Sequence, residues 1–137
     1  MIGILVVTHA KLGDALIEAA QFILGSRPEA VGAVSIDLSE NAEKLRKKIA
    51  DGIKEVKGEG GVLILTDMFG GSPSNLSYSF LEENQVEVLS GVNLPILIKA
   101  IRMRQDMPLA DLTRAVEESG KKSISIASSI LKGNKRG

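Results

Sequence analysis

At 137 residues the chain is sized for one domain, and a domain of that length buries roughly 68% of its unfolded surface, enough for one ordinary core. Its 17 basic and 17 acidic residues cancel, and no long Lys/Arg run crosses the body of the sequence, so no net field draws it to nucleic acid or lipid. With no cysteine and one histidine, disulfides, thiolate zinc sites, cysteine nucleophiles and clusters of imidazole ligands are excluded.

The apolar opening Ile2–Val7 is far shorter than the ~20 residues of a membrane helix, and no basic segment precedes it as in a signal peptide. It reads as the first strand, Ile2–Thr8, of a soluble protein, and a reducing cytoplasm is compatible with the missing cysteines. Leu12, Ala15, Leu16, Ala19, Ala20 and Ile23 then recur at three- and four-residue steps before Gly25, the pattern of an amphipathic helix closed by glycine. Val31–Leu38 is a second strand. Ala42, Leu45, Ile49, Ile53 and Val56 predict a second helix with Ser39 as N-cap, ended by the glycines at 58, 60 and 61. Val62–Asp67 is the third strand and Val86–Ser90 the fourth. Ser72-Pro73, Pro95 and Pro108 each open a helix, since proline is tolerated in the first turn, and Gly120 closes the last. Lys99, Arg102 and Arg104 read as its neighbour's solvated basic face. Ser123-Ile124-Ser125-Ile126 alternates polar with apolar, as in a strand buried on one face, and it is expected to be an edge or exchanged strand.

Strands alternating with helices predict an α/β, doubly wound, flavodoxin-like and mainly parallel sheet of order 2-1-3-4, with an antiparallel C-terminal edge strand. One domain over residues 1–130 and a flexible basic tail over 131–137 complete the expectation.

In such a sheet ligands collect where the strand order reverses, beyond the C-terminal ends of strands one and three. His9 follows strand one and Asp67 ends strand three, so the topology delivers both to one place. A carboxylate that accepts the Nδ1 hydrogen fixes the tautomer and leaves Nε2 facing outward as a nucleophile. A phosphoryl group there would bring about two negative charges. The run Phe69-Gly70-Gly71-Ser72-Pro73-Ser74-Asn75 can meet them: Gly70 and Gly71 let backbone approach, and the following helix aims free amides at an anion. Ser72 could cap that helix or donate its hydroxyl. A lone histidine, a strand-end aspartate or a Gly-Gly turn is each commonplace alone; their convergence carries the reading.

Gly3-Ile4-Leu5-Val6-Val7-Thr8-His9, Glu40-Asn41-Ala42, the run from Thr66 to Asn75, and Gly91-Val92-Asn93-Leu94-Pro95 together resemble the enzyme IIA component of the mannose family of the bacterial phosphoenolpyruvate-dependent sugar phosphotransferase system. The resemblance is collinear over about residues 1–130. It implies that His9 is phosphorylated, that Asp67 orients it, and that Ser72 with the adjoining backbone of Gly70 and Gly71 binds the phosphoryl group. It further implies the histidine-containing phosphocarrier protein as donor, a IIB component as acceptor, an indirect link to membrane IIC and IID components, and no metal or organic cofactor. Family members look like homodimers that exchange the last strand, here around Ser123–Ala127. Phe69 stands where some relatives have Trp, and the chain stops at Gly137 instead of running into a fused IIB domain, which leaves the acceptor open.

Two other readings use the same residues. Ser72, His9 and Asp67 could form an acyl-transfer triad, although the serine lies in Gly-Gly-Ser-Pro and not in a Gly-x-Ser-x-Gly elbow. Alternatively, a phosphorylated His9 could act as a signal read by a regulatory partner; capture of a regulator with no transfer to any IIB would mark that case.

Overall fold

The computed structural model of the chain describes residues 1–132. Four parallel strands, β1 (Gly3–His9), β2 (Val31–Ile36), β3 (Val62–Thr66) and β4 (Val86–Ser90), form one sheet of order β2-β1-β3-β4. The centre of the sheet is the part whose sequence is apolar without a break: every residue of β3 is buried, as are Gly3–Thr8 of β1, because helices cover both faces. The edge strand β4 is only half-buried.

Helices α1 (Leu12–Leu24), α4 (Leu94–Met103) and α5 (Leu109–Lys122) pack on one face. The other face carries α2 (Ala42–Val56), with Leu76 and Phe80 from α3 (Ser72–Tyr78) and the turn after it. The chain leaves β1 toward the first face and β3 toward the second, so the crevice predicted between the C-terminal ends of these strands is present. Among the described residues no helix is long and apolar enough to cross a membrane.

Several local expectations are corrected. Helix α1 buries Gly13, Ile17 and Ala20, whereas Leu12 and Ile23 are exposed; the helix carries apolar side chains on two faces, and Gly13 decides which turns inward. A Cβ on Gly13 would stand 3.2 Å from both Val6 Cγ1 and Val6 O, so the helix lies close against β1 and any side chain there would have to push it back by a few tenths of an ångström. The N-cap of α2 is Asn41, whose side chain accepts from the Lys44 amide, while Ser39 sits in the preceding turn on Asp37. Gly120 does not end α5 but lies inside it, where a Cβ would stand 2.5 Å from Ile96 Cδ1. Arg104 is not solvated. It is 4% exposed, and its guanidinium donates to the carbonyls of Ile2, Glu29 and Ala30. Burial draws its pKa down and the Glu29 charge opposes that.

The antiparallel edge strand is absent among the described residues. Ser123–Ile126 pairs with no strand and runs into a short helix, α6 (Ala127–Leu131), so the outer edge of β4 carries no fifth strand among the described residues. The expected basic tail lies outside the described residues from position 133 onward, and its first residue, Leu131, ends α6.

Candidate functional site

His9 is the last residue of β1, in register with Ile36 of β2. Asp67 directly follows β3, whose Thr66 pairs with Val7. This staggering brings the two residues together: Asp67 Oδ2 accepts the His9 backbone N–H at 2.9 Å and lies 2.8 Å from Nδ1. The His9 side chain is 37% exposed and that of Asp67 only 11%, so the carboxylate is walled in behind a ring that reaches solvent. Asp67 Oδ1 is buried with no hydrogen-bond partner among the described residues. Both hydrogen bonds that the carboxylate accepts from another residue among the described residues come from His9.

Burial alone pushes the Asp67 carboxyl up, but the His9 amide bond, the His9 ring bond, the His9 charge and its own amide together hold it below the usual carboxylate value of 3.8. An ionised carboxylate can only accept, so in the neutral imidazole Nδ1 carries the hydrogen and Nε2 keeps its lone pair.

After His9 the chain turns at once. Ala10 is left-handed at φ 49° and its amide reaches Ile36 O at 3.2 Å, a conformation that costs an ordinary L-residue about 1–2 kcal/mol. Thr8 Oγ1 then accepts the Gly13 amide at 2.8 Å, satisfying a free donor of α1 whose N-cap residue, Lys11, makes no side-chain cap bond.

The two glycines after Phe69 serve different needs. Gly70 is left-handed at φ 85° with nothing within 4 Å of a built Cβ, a backbone requirement. Gly71 is extended, at φ −85° and ψ 167°, but a Cβ there would stand 3.0 Å from His9 Cε1 and 3.6 Å from Nε2. Gly71 is therefore the residue that flanks the outward nitrogen. It is also the N-cap of α3, and Ser72 opens that helix without a side-chain cap bond.

Beside the ring, on the β2 side, an open cleft is lined by Lys11, Asp37, Leu38, Glu40 and Lys48. Hydrogen bonds from Lys48 and Lys44 hold the Glu40 carboxyl below its ordinary range. Ser72 faces a separate, smaller cleft between α2 and α3 with Leu38, Glu40 and Asn75. Among the described residues no three His, Asp or Glu side chains gather as a metal site.

Sequence reading did not single out Thr66, Ser74 or Ser90 as a set. Their hydroxyls meet under the glycine turn, with Thr66 Oγ1 2.6 Å from Ser74 Oγ and 2.9 Å from Ser90 Oγ. The available signal was faint: Thr66 and Ser90 are the polar ends of two apolar strands.

Fold and site together define a class: a parallel α/β sheet with one carboxylate-bound imidazole beside a glycine turn at the C-terminal edge of its central strands. Comparison with known proteins narrows the class. The family described as PTS system fructose IIA component matches residues 3–117. The fructose-specific EIIA component of Bacillus subtilis (strain 168) is 32% identical over 132 residues, covering 96% of this chain and 90% of that protein. The mannose-specific EIIAB component of Escherichia coli (strain K12) is 34% identical over 125 residues, 90% of this chain but only 38% of that longer protein. The crystal structure of phosphotransferase system component EIIA from Streptococcus agalactiae superposes with a TM-score of 0.83 at 26% identity, over 94% of this chain and 99% of that one. The chain belongs to the mannose-type IIA family of the sugar phosphotransferase system, whose components are phosphotransferases.

Proposed function

We propose that the protein is a phosphoryl carrier that accepts its group on His9 Nε2 from the histidine-containing phosphocarrier protein and yields it to a IIB component. The observation that carries this reading is the 2.8 Å contact between His9 Nδ1 and Asp67 Oδ2, which leaves the solvent-facing nitrogen nucleophilic. In the forward step the Nε2 lone pair attacks phosphorus of the donor phosphohistidine in line. The new N–P bond forms as the donor's breaks, and the donor imidazole leaves with the electron pair. The hydrogen stays on His9 Nδ1 throughout, donated to the Asp67 carboxylate, so the positive charge developing on the ring is met by an ionised neighbour. In this reading the backbone amides of the glycine turn, whose Gly71 flanks the His9 ring, meet the transferred charge, and Ser72, which lines the neighbouring cleft, would turn its hydroxyl toward it. Amides suit a group that must leave again, because they stabilise it without the tight pairing of a buried cation. Passing the group to IIB repeats the step with the roles exchanged, and the sugar is handled by the membrane IIC and IID components. Leu38, Met68 and Phe69, which are 67%, 54% and 79% exposed, form the apolar rim on which a protein partner would dock, Phe69 lying 6.2 Å from the Tyr78 ring. Ser72 makes no hydrogen bond to His9 among the described residues, so nothing supports the acyl-transfer triad.

Incubation with phosphoenolpyruvate, enzyme I and the phosphocarrier should place one acid-labile phosphate on the protein, and added IIB should remove it. A protein that stays unlabelled, or carries acid-stable phosphate, would refute the relay.

Asp67→Ala is expected to slow labelling by roughly 10- to 100-fold, as when a partner that orients a reactive histidine is removed; an unchanged rate would make Asp67 structural. Because the folded pKa of Asp67 lies below its unfolded value, its contribution to stability is complete well above 3.8 and is lost as pH falls through the lower folded value. In urea melts the difference between wild type and Asp67→Asn should therefore shrink below about pH 4.

We also propose that the protein is a homodimer in which the C-terminal segment crosses to a second copy. Ile124, Ile126, Ile130 and Leu131 are 83%, 70%, 50% and 83% exposed in one copy, and β4 leaves one edge of the sheet unpaired. Solution mass should be twice that of the 14.6 kDa chain, and removal of residues 123–137 should give a monomer; a monomeric full-length protein would exclude the exchange.

A further inference from the structure

We infer that Ser74 is a positioning residue for His9, because its buried hydroxyl ties down both chain neighbours of Asp67. This rests on the relay proposed above. Ser74 and Thr66 are fully buried. Ser74 Oγ donates to Met68 O at 2.5 Å and lies 2.6 Å from Thr66 Oγ1 and 3.1 Å from Ser90 Oγ. Asp67 therefore sits between two residues, Thr66 and Met68, that converge on one oxygen atom. The same Thr66 is fixed from the other side, its carbonyl accepting the amides of Gly91 and Val92, both at 2.9 Å.

The pattern differs from that of an ordinary helical serine. Ser77, one turn further on, bonds back to the Pro73 carbonyl of its own helix at 2.6 Å, the usual way such a hydroxyl is satisfied. Ser74 reaches out of its helix instead, to the turn that follows β3 and to the ends of two strands. Alanine would fill nearly the same space, so packing does not call for serine here. A group that donates to a carbonyl and also meets two hydroxyls does call for it, and in a dry interior the members of such a network polarise one another.

The Met68 carbonyl opens the turn that ends at Gly71, against the His9 ring. Without the Ser74 hydroxyl both walls of the site loosen: the carboxylate that holds Nδ1–H and the glycine that flanks Nε2. The imidazole is then free to populate the tautomer with hydrogen on Nε2, which cannot attack phosphorus. Misplacement on the order of 1 Å can cost about 100-fold in rate; a single lost hydroxyl, with the fold intact, is expected to cost about 10-fold.

Ser74→Ala and Thr66→Val, the second preserving side-chain volume, test this with two readouts: the labelling rate from the phosphocarrier, and the imidazole nitrogen chemical shifts of His9, which report the tautomer. Both variants should transfer more slowly, Ser74→Ala by about 10-fold, and both should shift toward the Nε2–H form while thermal melts show them folded. Wild-type rates in folded variants overturn the inference, and so do slowed rates with unchanged nitrogen shifts, since the effect would then bypass the ring. If Ser74→Ala does not fold, Thr66→Val alone decides by the same criteria. Failure of the wild-type protein to label would instead overturn the relay itself, an outcome distinct from any difference between variants.

Discussion

His9→Ala is expected to abolish phosphoryl labelling while leaving the protein folded. The sequence holds one histidine and no cysteine, so no second side chain can form a phosphoramidate at an imidazole or attack as a thiolate. Nearby hydroxyls lack an activating base once the ring is gone. The fold should survive because the ring reaches solvent and because the other bond to Asp67 comes from the His9 backbone, at 2.9 Å, which alanine retains. Losing the ring contact should cost about 1 kcal/mol, set against a typical domain stability of about 5–15 kcal/mol. Labelling by phosphoenolpyruvate, enzyme I and phosphocarrier, read beside a urea melt, checks both halves. Label on a folded His9→Ala protein would move the acceptor elsewhere.

The sheet was legible because its central strands meet a simple condition. Leu5 to Val7 and Val62 to Leu65 are apolar without interruption, and only strands covered on both faces accommodate that; right-handed crossovers then leave few orders besides 2-1-3-4. What escaped the sequence depended on tertiary neighbours. Helix α1 carries enough alanine and leucine to make either of two faces apolar, and the choice falls on the one where Gly13 meets Val6. Arg104 follows Lys99 and Arg102 on a basic stretch, and only the carbonyls of Ile2, Glu29 and Ala30, supplied from 74 to 102 residues away, make its burial tolerable. The alternation of Ser123–Ile126 describes a segment with one apolar side, which a strand satisfies only when a ladder partner exists.

The contact between His9 and Asp67 was legible for a topological reason. Both residues end adjacent parallel strands, and adjacent strands of similar length finish at the same edge of the sheet. Ser74 was illegible because its partners are 6, 8 and 16 residues away and no periodicity relates them. The division of labour between Gly70 and Gly71 was equally hidden, since a Gly-Gly pair reads alike whether it serves backbone conformation or the space beside a ring.

That division yields the second large effect. Gly71→Val is expected to lower phosphoryl transfer by about 100-fold or more with little loss of stability. At φ −85° and ψ 167° the backbone accepts any side chain, so the substitution introduces no strain of its own. Its Cβ, however, would fall 3.0 Å from His9 Cε1, 3.2 Å from Met68 Cγ and 3.6 Å from Nε2, and the two γ carbons would extend into the space an incoming phosphoryl group needs. Either the ring swings away from Asp67 or the turn retreats, and each outcome spoils the approach to Nε2. Gly71→Ala should fall between, because its single carbon needs only a few tenths of an ångström from its neighbours. Gly70→Ala supplies the contrast. At φ 85° with nothing within 4 Å, alanine there should cost stability, about 1–2 kcal/mol, more than it costs rate. Measuring transfer rate and urea midpoint for all three variants separates the two glycines. If Gly71→Val transferred normally while Gly70→Ala did not, the ring would not be working against Gly71, and the phosphoryl group would have to enter from the cleft lined by Lys11 and Lys48 instead.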